Sequence, residues 1–398
     1  MKTERIQLID SIRGLSLLGI LIANMLIFQY GMYGKDEITF PLSSFDSTFH
    51  TLLKISVEGS FMPIFAFLFG FGLIKMKENL ELNQIGVKRT FFRRFLFLVV
   101  LGFLHGTYLW EGDILFSYGL AGIFLLLFLK RKPKTILVWA IVLFTALSIM
   151  GYGSVSSSIV EDPDKINEYI NDANQVYSEG TYLEVKDFRN NVDPLEALGL
   201  TDELIVILFL LVPFITAPPF LVGMYAAKKG WFTKPTEEIG FYKKGTILLP
   251  IGLIFKALYY LLPNQDWTGI AFTAGSTLLS LGYIFLVSYL YIAWNKNALF
   301  PWFSYVGRLS LTNYLVQTVI FTTIFYGYGF GFFGKLGVFY GFLLCLVTYF
   351  IQALLSKYYL KYCKVGPIER IVRSVTYFSL SGRPKPKHTP TKEKPIGA

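Results

Sequence analysis

Among the three histidines, only His105 lies inside a long apolar stretch; His50 and His388 sit in hydrophilic segments. Imidazole is the usual general base near neutral pH. Asp113 follows across the turn Glu111-Gly112-Asp113, where a carboxylate can orient or polarise the ring, or simply cap the next helix. A buried histidine is as often a hydrogen-bonded structural residue, so both readings stand. Asp10 and Arg13 are three apart and share a helical face. Asn24 comes eleven residues after Arg13, about three turns later, on that same face. Such a stripe suits Arg13 for holding an anionic group with Asp10 orienting it, or for an ion pair that anchors a helix end. Arg308, Asn313 and Gln317 open another apolar segment, the last two facing one way. They either meet a substrate or hydrogen-bond between helices. The sequence has no metal-ligand spacing, phosphate-cradling glycine loop, G-x-S-x-G elbow or H-E-x-x-H pair.

The elements that must carry these residues are apolar throughout. The chain has 398 residues, 53% hydrophobic and only 16% charged, against about 25% charged in a soluble domain. Runs of roughly 20 apolar residues, enough to span a bilayer, predict an all-α polytopic membrane protein of about ten transmembrane helices. The predicted spans are 12–30, 55–74, 95–110, 114–129, 135–153, 204–227, 245–262, 269–294, 309–327 and 336–355. The third and fourth form a hairpin. The first resembles a signal peptide, but it lacks a clear cleavage site and carries Asp10 and Arg13, so it reads as a retained helix. Pro213, Pro218 and Pro219 break donors in the sixth span, which suggests a cavity or packing kinks. Gly70 and Gly72 suit close helix packing. Lys256 is predicted to face the interior.

The net charge of +10 follows topology rather than nucleic-acid binding, because the charges segregate by loop. The N-terminus, 75–94, 130–134, 228–244, 295–308 and the tail from 356 carry 30 Lys/Arg and 8 Asp/Glu. The alternating set 31–51, 111–113, 154–203, 263–268 and 328–334 carries 4 and 18. Basic loops stay cytoplasmic, which predicts both termini inside. A single membrane domain is expected over 1–377, with 154–203 inserted as an acidic extracytoplasmic loop. Apolar residues at Ile166, Ile170, Ala173, Val176 and Tyr177 predict a helical lid there. Residues 378–398 read as a disordered basic cytoplasmic tail resting on anionic inner-leaflet lipids. Cys345 and Cys363 differ in depth, which argues against a disulfide. Nothing fixes the oligomeric state.

Four blocks occur in order: R-x-x-x-x-D-x-x-R-G-x-x-L-L-G-I-x-x-x-N (Arg5–Asn24), R-R-x-x-x-L-x-x-x-G-x-x-H with W-x-G-D-I-L-x-x-Y (Arg93–Tyr118), G-R-x-x-L-T-N-Y-L-x-Q (Gly307–Gln317) and G-P-I-E-R-x-x-R-S-x-T-Y (Gly366–Tyr377). Together they resemble the YeiB-like bacterial membrane proteins, domain-of-unknown-function family four-one-eight, over the chain up to about Tyr377. That family is distantly similar to the transmembrane acyltransferase superfamily, which shares a bundle of about ten helices and a first helix opening D-x-x-R-G. The resemblance implies a multi-pass protein of a bacterial plasma membrane with an acyltransferase-like bundle. It also implies acyl-CoA as a donor substrate rather than a bound cofactor. In the O-acyltransferase branch a histidine follows the first-helix arginine by eleven residues. Here Asn24 holds that place and cannot act as a base, so His105 is the candidate substitute.

Three functions fit these residues. In a membrane acyltransferase, Arg13 with Arg308 or the 75–94 loop holds the phosphates of the donor. His105, polarised by Asp113, acts on a cell-envelope acceptor. In a small-solute transporter or exporter, the polar stripe and the proline-broken helix line a path. A non-catalytic membrane protein would instead read signals through the acidic loop.

Overall fold

A computed structural model describes residues 6–36, 38–153, 163–192, 201–263, 265–294 and 299–382. Among them the regular structure is entirely helical. The helices are α1 (Gln7–Tyr30), α2 (Ser44–Ser56), α3 (Phe61–Leu82), α4 (Val87–Tyr108), α5 (Leu115–Leu125), α6 (Pro133–Met150), α7 (Pro163–Glu179) and α8 (Tyr182–Asn191). They continue with α9 (Asp202–Lys228), α10 (Ile239–Gly245), α11 (Leu248–Leu261), α12 (Thr268–Ala293), α13 (Leu299–Arg308), α14 (Ser310–Phe325), α15 (Val338–Tyr362) and α16 (Pro367–Tyr377).

Each of the ten apolar segments holds a helix. By length and composition, seven helical stretches among the described residues can cross a membrane: Gln7–Tyr30, Ser44–Leu82, Pro133–Met150, Glu203–Lys228, Ile239–Leu261, Thr268–Ala293 and Val338–Tyr362. Leu115–Phe128 is apolar but shorter. The second span starts later and runs further than the sequence suggests. A turn with Gly59 at φ 68° interrupts it before Phe61. Beyond the apolar run, Lys75–Glu78 and Lys77–Glu81 ion pairs carry α3 on to Leu82, as pairs one turn apart do.

The outward faces are made for lipid. On α4, Phe92, Leu96, Val100 and Phe103 are exposed, while Phe91, Phe95, Leu98, Gly102 and His105 point inward. On α15, Leu343, Val347, Phe350 and Leu354 form a similar exposed stripe. Apolar side chains gain nothing from facing water, so these stripes place the helices in a bilayer.

The bundle has a basic end and an acidic end. Arg13, Arg94, Arg308, Lys364 and Arg373 surround one pocket. At the other end Tyr177 donates to Glu111, the Gly327 amide donates to the Tyr177 carbonyl, and the Gly153 amide donates to the Asp266 carbonyl. Within the acidic insertion α7 and α8 pack on this end. Ile166, Ile170, Ala173 and Tyr177 are buried on the inner face of α7. Arg189 clamps α8 onto the end of α4 through the carbonyls of Thr107 and Leu109, at 2.8 and 3.0 Å. Residues 383–398, the bulk of the expected tail, lie outside the described residues, as does Arg5.

Glycines set the tightest crossings. A Cβ on Gly14 would sit 1.9 Å from the Phe303 carbonyl oxygen, and one on Gly307 would sit 2.0 Å from that of Asp10. The backbones of α1 and α13 therefore touch. Ser11 on α1 also donates to the Phe300 carbonyl of α13 at 2.9 Å. Gly70 and Gly223 make the same reciprocal contact between α3 and α9. Gly72 differs, because its Cβ would meet nothing within 4 Å. Replacing Gly14 or Gly307 by alanine should therefore cost about 3 kcal/mol or more from forced separation, read as a lower Tm in detergent, while Gly72→Ala leaves Tm unchanged or higher.

Candidate functional site

The α1–α13 crossing fixes what stands beside it. Arg13 precedes Gly14 and Arg308 follows Gly307, so contact between the two glycines brings both arginines to the same pocket. This basic-end pocket has a volume of about 270 Å³. Arg94 from α4, Lys364 from the connection between α15 and α16, and Arg373 from α16 join them at its polar side. Phe65, Phe69, Leu73, Leu98, Leu115 and Tyr118 supply an apolar interior. Arg13 also holds Asp10 at 3.1 Å. The acid that lines the pocket, Glu369, is engaged elsewhere. It accepts from the Leu311 and Thr312 amides at 2.8 and 3.1 Å and so caps the start of α14. That cap docks α16 across the pocket mouth, since Val372 and Arg373 of the same helix line it.

Asn24 belongs to a second pocket of about 450 Å³ at the acidic end. Ile20, Ala23 and Ile27 of α1, Met62 of α3 and Tyr259 of α11 also line it. Its mouth carries an ion-pair chain. Lys35 lies 2.5 Å from Glu58 and 2.8 Å from Asp36, and Lys54 lies 2.5 Å from Asp36. Burial works against the Lys35 ammonium, but the Glu58 and Asp36 carboxylates outweigh it and hold its pKa above the ordinary lysine value. Burial likewise works against the Asp36 carboxylate, and Lys35 and Lys54 still hold its pKa below the ordinary value. The Asn24 side chain is 3% exposed and its Oδ1 has no hydrogen-bond partner among the described residues.

His105 and Asp113 are in contact. The carboxylate accepts from Nδ1 at 2.9 Å, and Nε2 lies 3.0 Å from the Thr318 hydroxyl. The other Asp113 oxygen accepts from the Phe116 amide at 2.7 Å in the first turn of α5. One aspartate thus orients the ring and caps the helix. Gly102 permits this closeness, since a Cβ there would lie 2.6 Å from Asp113 Oδ2. A carboxylate–imidazole–hydroxyl chain can activate a hydroxyl or take a proton from one. His105 and Thr318 are 2% and 1% exposed and line neither pocket.

Asn313 and Gln317 also stay out of both pockets. Asn313 donates to Ser356 at 3.0 Å, and Gln317 donates to Gln352 at 2.9 Å, stitching α14 to α15. Pro213, Pro218 and Pro219 lie within the single helix α9 and line neither pocket. Lys256 is fully buried and donates to the Glu58 carbonyl and to Ser60 Oγ, the latter at 3.2 Å. The residues singled out by sequence therefore divide among three places. Arg13 and Arg308 meet, His105 meets Asp113, and Asn24 stands in the second pocket. Thr318, Arg94, Lys364 and Arg373 join these places without having been singled out. Arg94 and Arg373 stand within the blocks R-R-x-x-x-L and G-P-I-E-R-x-x-R, which was the available signal. Thr318 had none, because only the docking of α14 on α4 brings it to His105.

Fold and pockets define a helical multi-pass membrane protein. Residues 226–379 match the family described as "Protein of unknown function (DUF418)". Over 391 residues the chain is 32% identical to the "Uncharacterized protein YxaH" of Bacillus subtilis (strain 168), covering 95% of this chain and 96% of that protein. It is 26% identical over 396 residues to the "Uncharacterized protein YeiB" of Escherichia coli (strain K12), covering 94% and 96%. This chain belongs to that family. No solved structure matches it.

Above His105, burial pushes the Glu111 carboxyl above the ordinary glutamate range, opposed in part by Tyr177 and Arg189. The folded state then holds this proton more tightly than the unfolded chain. From pH 4.5, the ordinary glutamate value, up to the raised folded value, this group's contribution to stability falls as pH rises. Glu111→Gln should flatten that part of the Tm-against-pH curve, and an unchanged slope would assign it to other groups.

Proposed function

We propose that this protein is a membrane acyltransferase that takes an acyl thioester of a phosphorylated carrier, such as acyl-CoA, into the basic-end pocket. The observation that carries this reading is the pocket's division into a cationic side and an apolar interior. Five basic side chains suit the phosphates of the carrier, since guanidinium–phosphate contacts are strong and directional. The apolar interior suits the acyl chain, at about 0.8 kcal/mol per CH₂ buried. With the basic end cytoplasmic, the donor enters from the cytosol, where such thioesters are made. His105, held by Asp113, is the base that takes the proton of the acceptor. The acceptor oxygen or nitrogen then bonds to the thioester carbonyl carbon and the thiol leaves. The described arrangement has His105 closed off by Thr318, so this step requires the Thr318 hydroxyl to turn aside when substrate is bound.

A second reading has one observation in its favour. The two pockets share α1 and α3 from opposite ends. On α3 they are one turn apart, at Met62 and Phe65, with the Tyr118 hydroxyl donating to the Met62 carbonyl at 2.9 Å. Two pockets facing opposite ends across a thin layer also suit a transporter of a small solute.

Equilibrium binding in lipid nanodiscs separates these. Octanoyl-CoA should bind at least tenfold more tightly than acetyl-CoA. Arg13→Gln combined with Arg308→Gln should weaken it by roughly 10- to 100-fold for each arginine replaced, from about 1.5–3 kcal/mol per hydrogen bond to a charged group. Gly72→Leu places a side chain in the pocket where there is room for its Cβ, so it should abolish binding without lowering Tm. Absence of acyl-CoA binding and hydrolysis, with His105→Ala indistinguishable from wild type, would contradict acyl transfer. Solute uptake into proteoliposomes would then favour transport.

A further inference from the structure

Two residues that line the second pocket each carry a buried oxygen that nothing in the described protein satisfies. Asn24 Oδ1 and Glu58 Oε2 are both buried without a hydrogen-bond partner, and both residues line this pocket. A buried acceptor left unpaired is costly. Asn24 is the stronger sign, because its amide is almost wholly removed from solvent and sits in the wall of the cavity. Leucine would fit this apolar stretch of α1 without that cost. The two atoms ask for a partner that brings hydrogen-bond donors.

The charges around the pocket decide what kind of donor. Two lysines line it, Lys35 on Glu58 and Lys54 on Asp36, and a third, Lys256, lies behind the wall on the Glu58 carbonyl, so each lining carboxylate already has a cation. They disfavour a cationic ligand. An anionic ligand fares no better, because its oxygens would face the Asn24 and Glu58 acceptors and the Asp36 carboxylate, while Lys35 and Lys54 are already paired. What remains is an uncharged molecule with hydroxyl donors. Tyr259, Tyr260 and Phe272 add aromatic faces to the wall. These suit the C–H faces of a polyol ring.

We infer that the acidic-end pocket is the binding site of a neutral polyhydroxy compound, whose hydroxyls donate to Asn24 and Glu58. Resting on the acyl-transfer reading above, this compound is the acceptor class, approaching from the end opposite the donor.

The test is saturation-transfer NMR of methyl glucoside with the full-length protein in nanodiscs, in the absence of acyl donor. Methyl glucoside should bind, and neither glucose 6-phosphate nor choline should displace it. Asn24→Leu should weaken binding at least tenfold while leaving Tm unchanged or raised, because it removes an unpaired buried atom. Ala23→Leu fills the same cavity with the amide intact and should weaken binding similarly. Absence of methyl glucoside binding, displacement by choline or the sugar phosphate, or both variants binding as wild type would overturn the assignment. A lower Tm for Asn24→Leu would also overturn it, since that would make the amide a structural partner. No acyl transfer is measured, so the site stands or falls independently of the catalytic reading.

Discussion

Backbone contact between α1 and α13 at Gly14 and Gly307 is the constraint on which the basic-end pocket depends. With carbonyl oxygens standing where two Cβ atoms would be, neither helix can back away without loss of packing on both sides. The Tyr349 hydroxyl reinforces the crossing by donating to the Gly14 carbonyl at 2.8 Å. Like charges of Arg13 and Arg308 would otherwise separate. Their neighbourhood is sustained by packing of the glycines beside them, by Asp10 on Arg13, and by α16 held down through Glu369. This arrangement of cations over an apolar cavity is the feature on which the acyl-transfer proposal rests.

The same helix serves the opposite end. Asn24 lies three turns beyond Arg13 on the stripe that faces the bundle rather than lipid, and α1 is the most buried of the seven membrane-length helices. One helix therefore supplies a polar group to each pocket, and the layer between them is only a turn of α3 thick at Met62 and Phe65. The proposed acyl transfer needs two binding places whose reacting atoms can meet. The His105–Asp113–Thr318 chain lines neither pocket. Trp110, next to the turn after α4, stacks at 4.1 Å on Phe28, one turn beyond Asn24.

Much of the architecture was legible because lipid imposes a simple code. Apolar runs of bilayer length and alternating charge in the loops located ten helical segments, and the apolar spacing in 166–177 located α7. Arg13, Arg308, His105 and Asp113 were legible because ionisable groups in apolar segments have few bland explanations. Helix ends were less so. The ion pairs that extend α3 past its apolar stretch look like loop charge until the backbone is seen. Partners across the bundle were not legible at all. Thr318 and Ser356 are ordinary helix residues until α4 and α15 are laid against α14, and the choice between substrate contact and interhelical bonding for Asn313 and Gln317 depended on those neighbours. Gly14 and Gly307 were visible in the R-G and G-R pairs, but their reciprocal contact follows only from the crossing.

The most direct measurement is photo-crosslinking with octanoyl-CoA carrying a diazirine at the end of its acyl chain, followed by peptide mapping. Adducts at Phe65, Leu98, Leu115 or Tyr118 that disappear with excess unlabelled octanoyl-CoA are predicted. Labelling confined to the outward residues Phe92, Leu96 and Val100, and unaffected by competitor, would contradict the account.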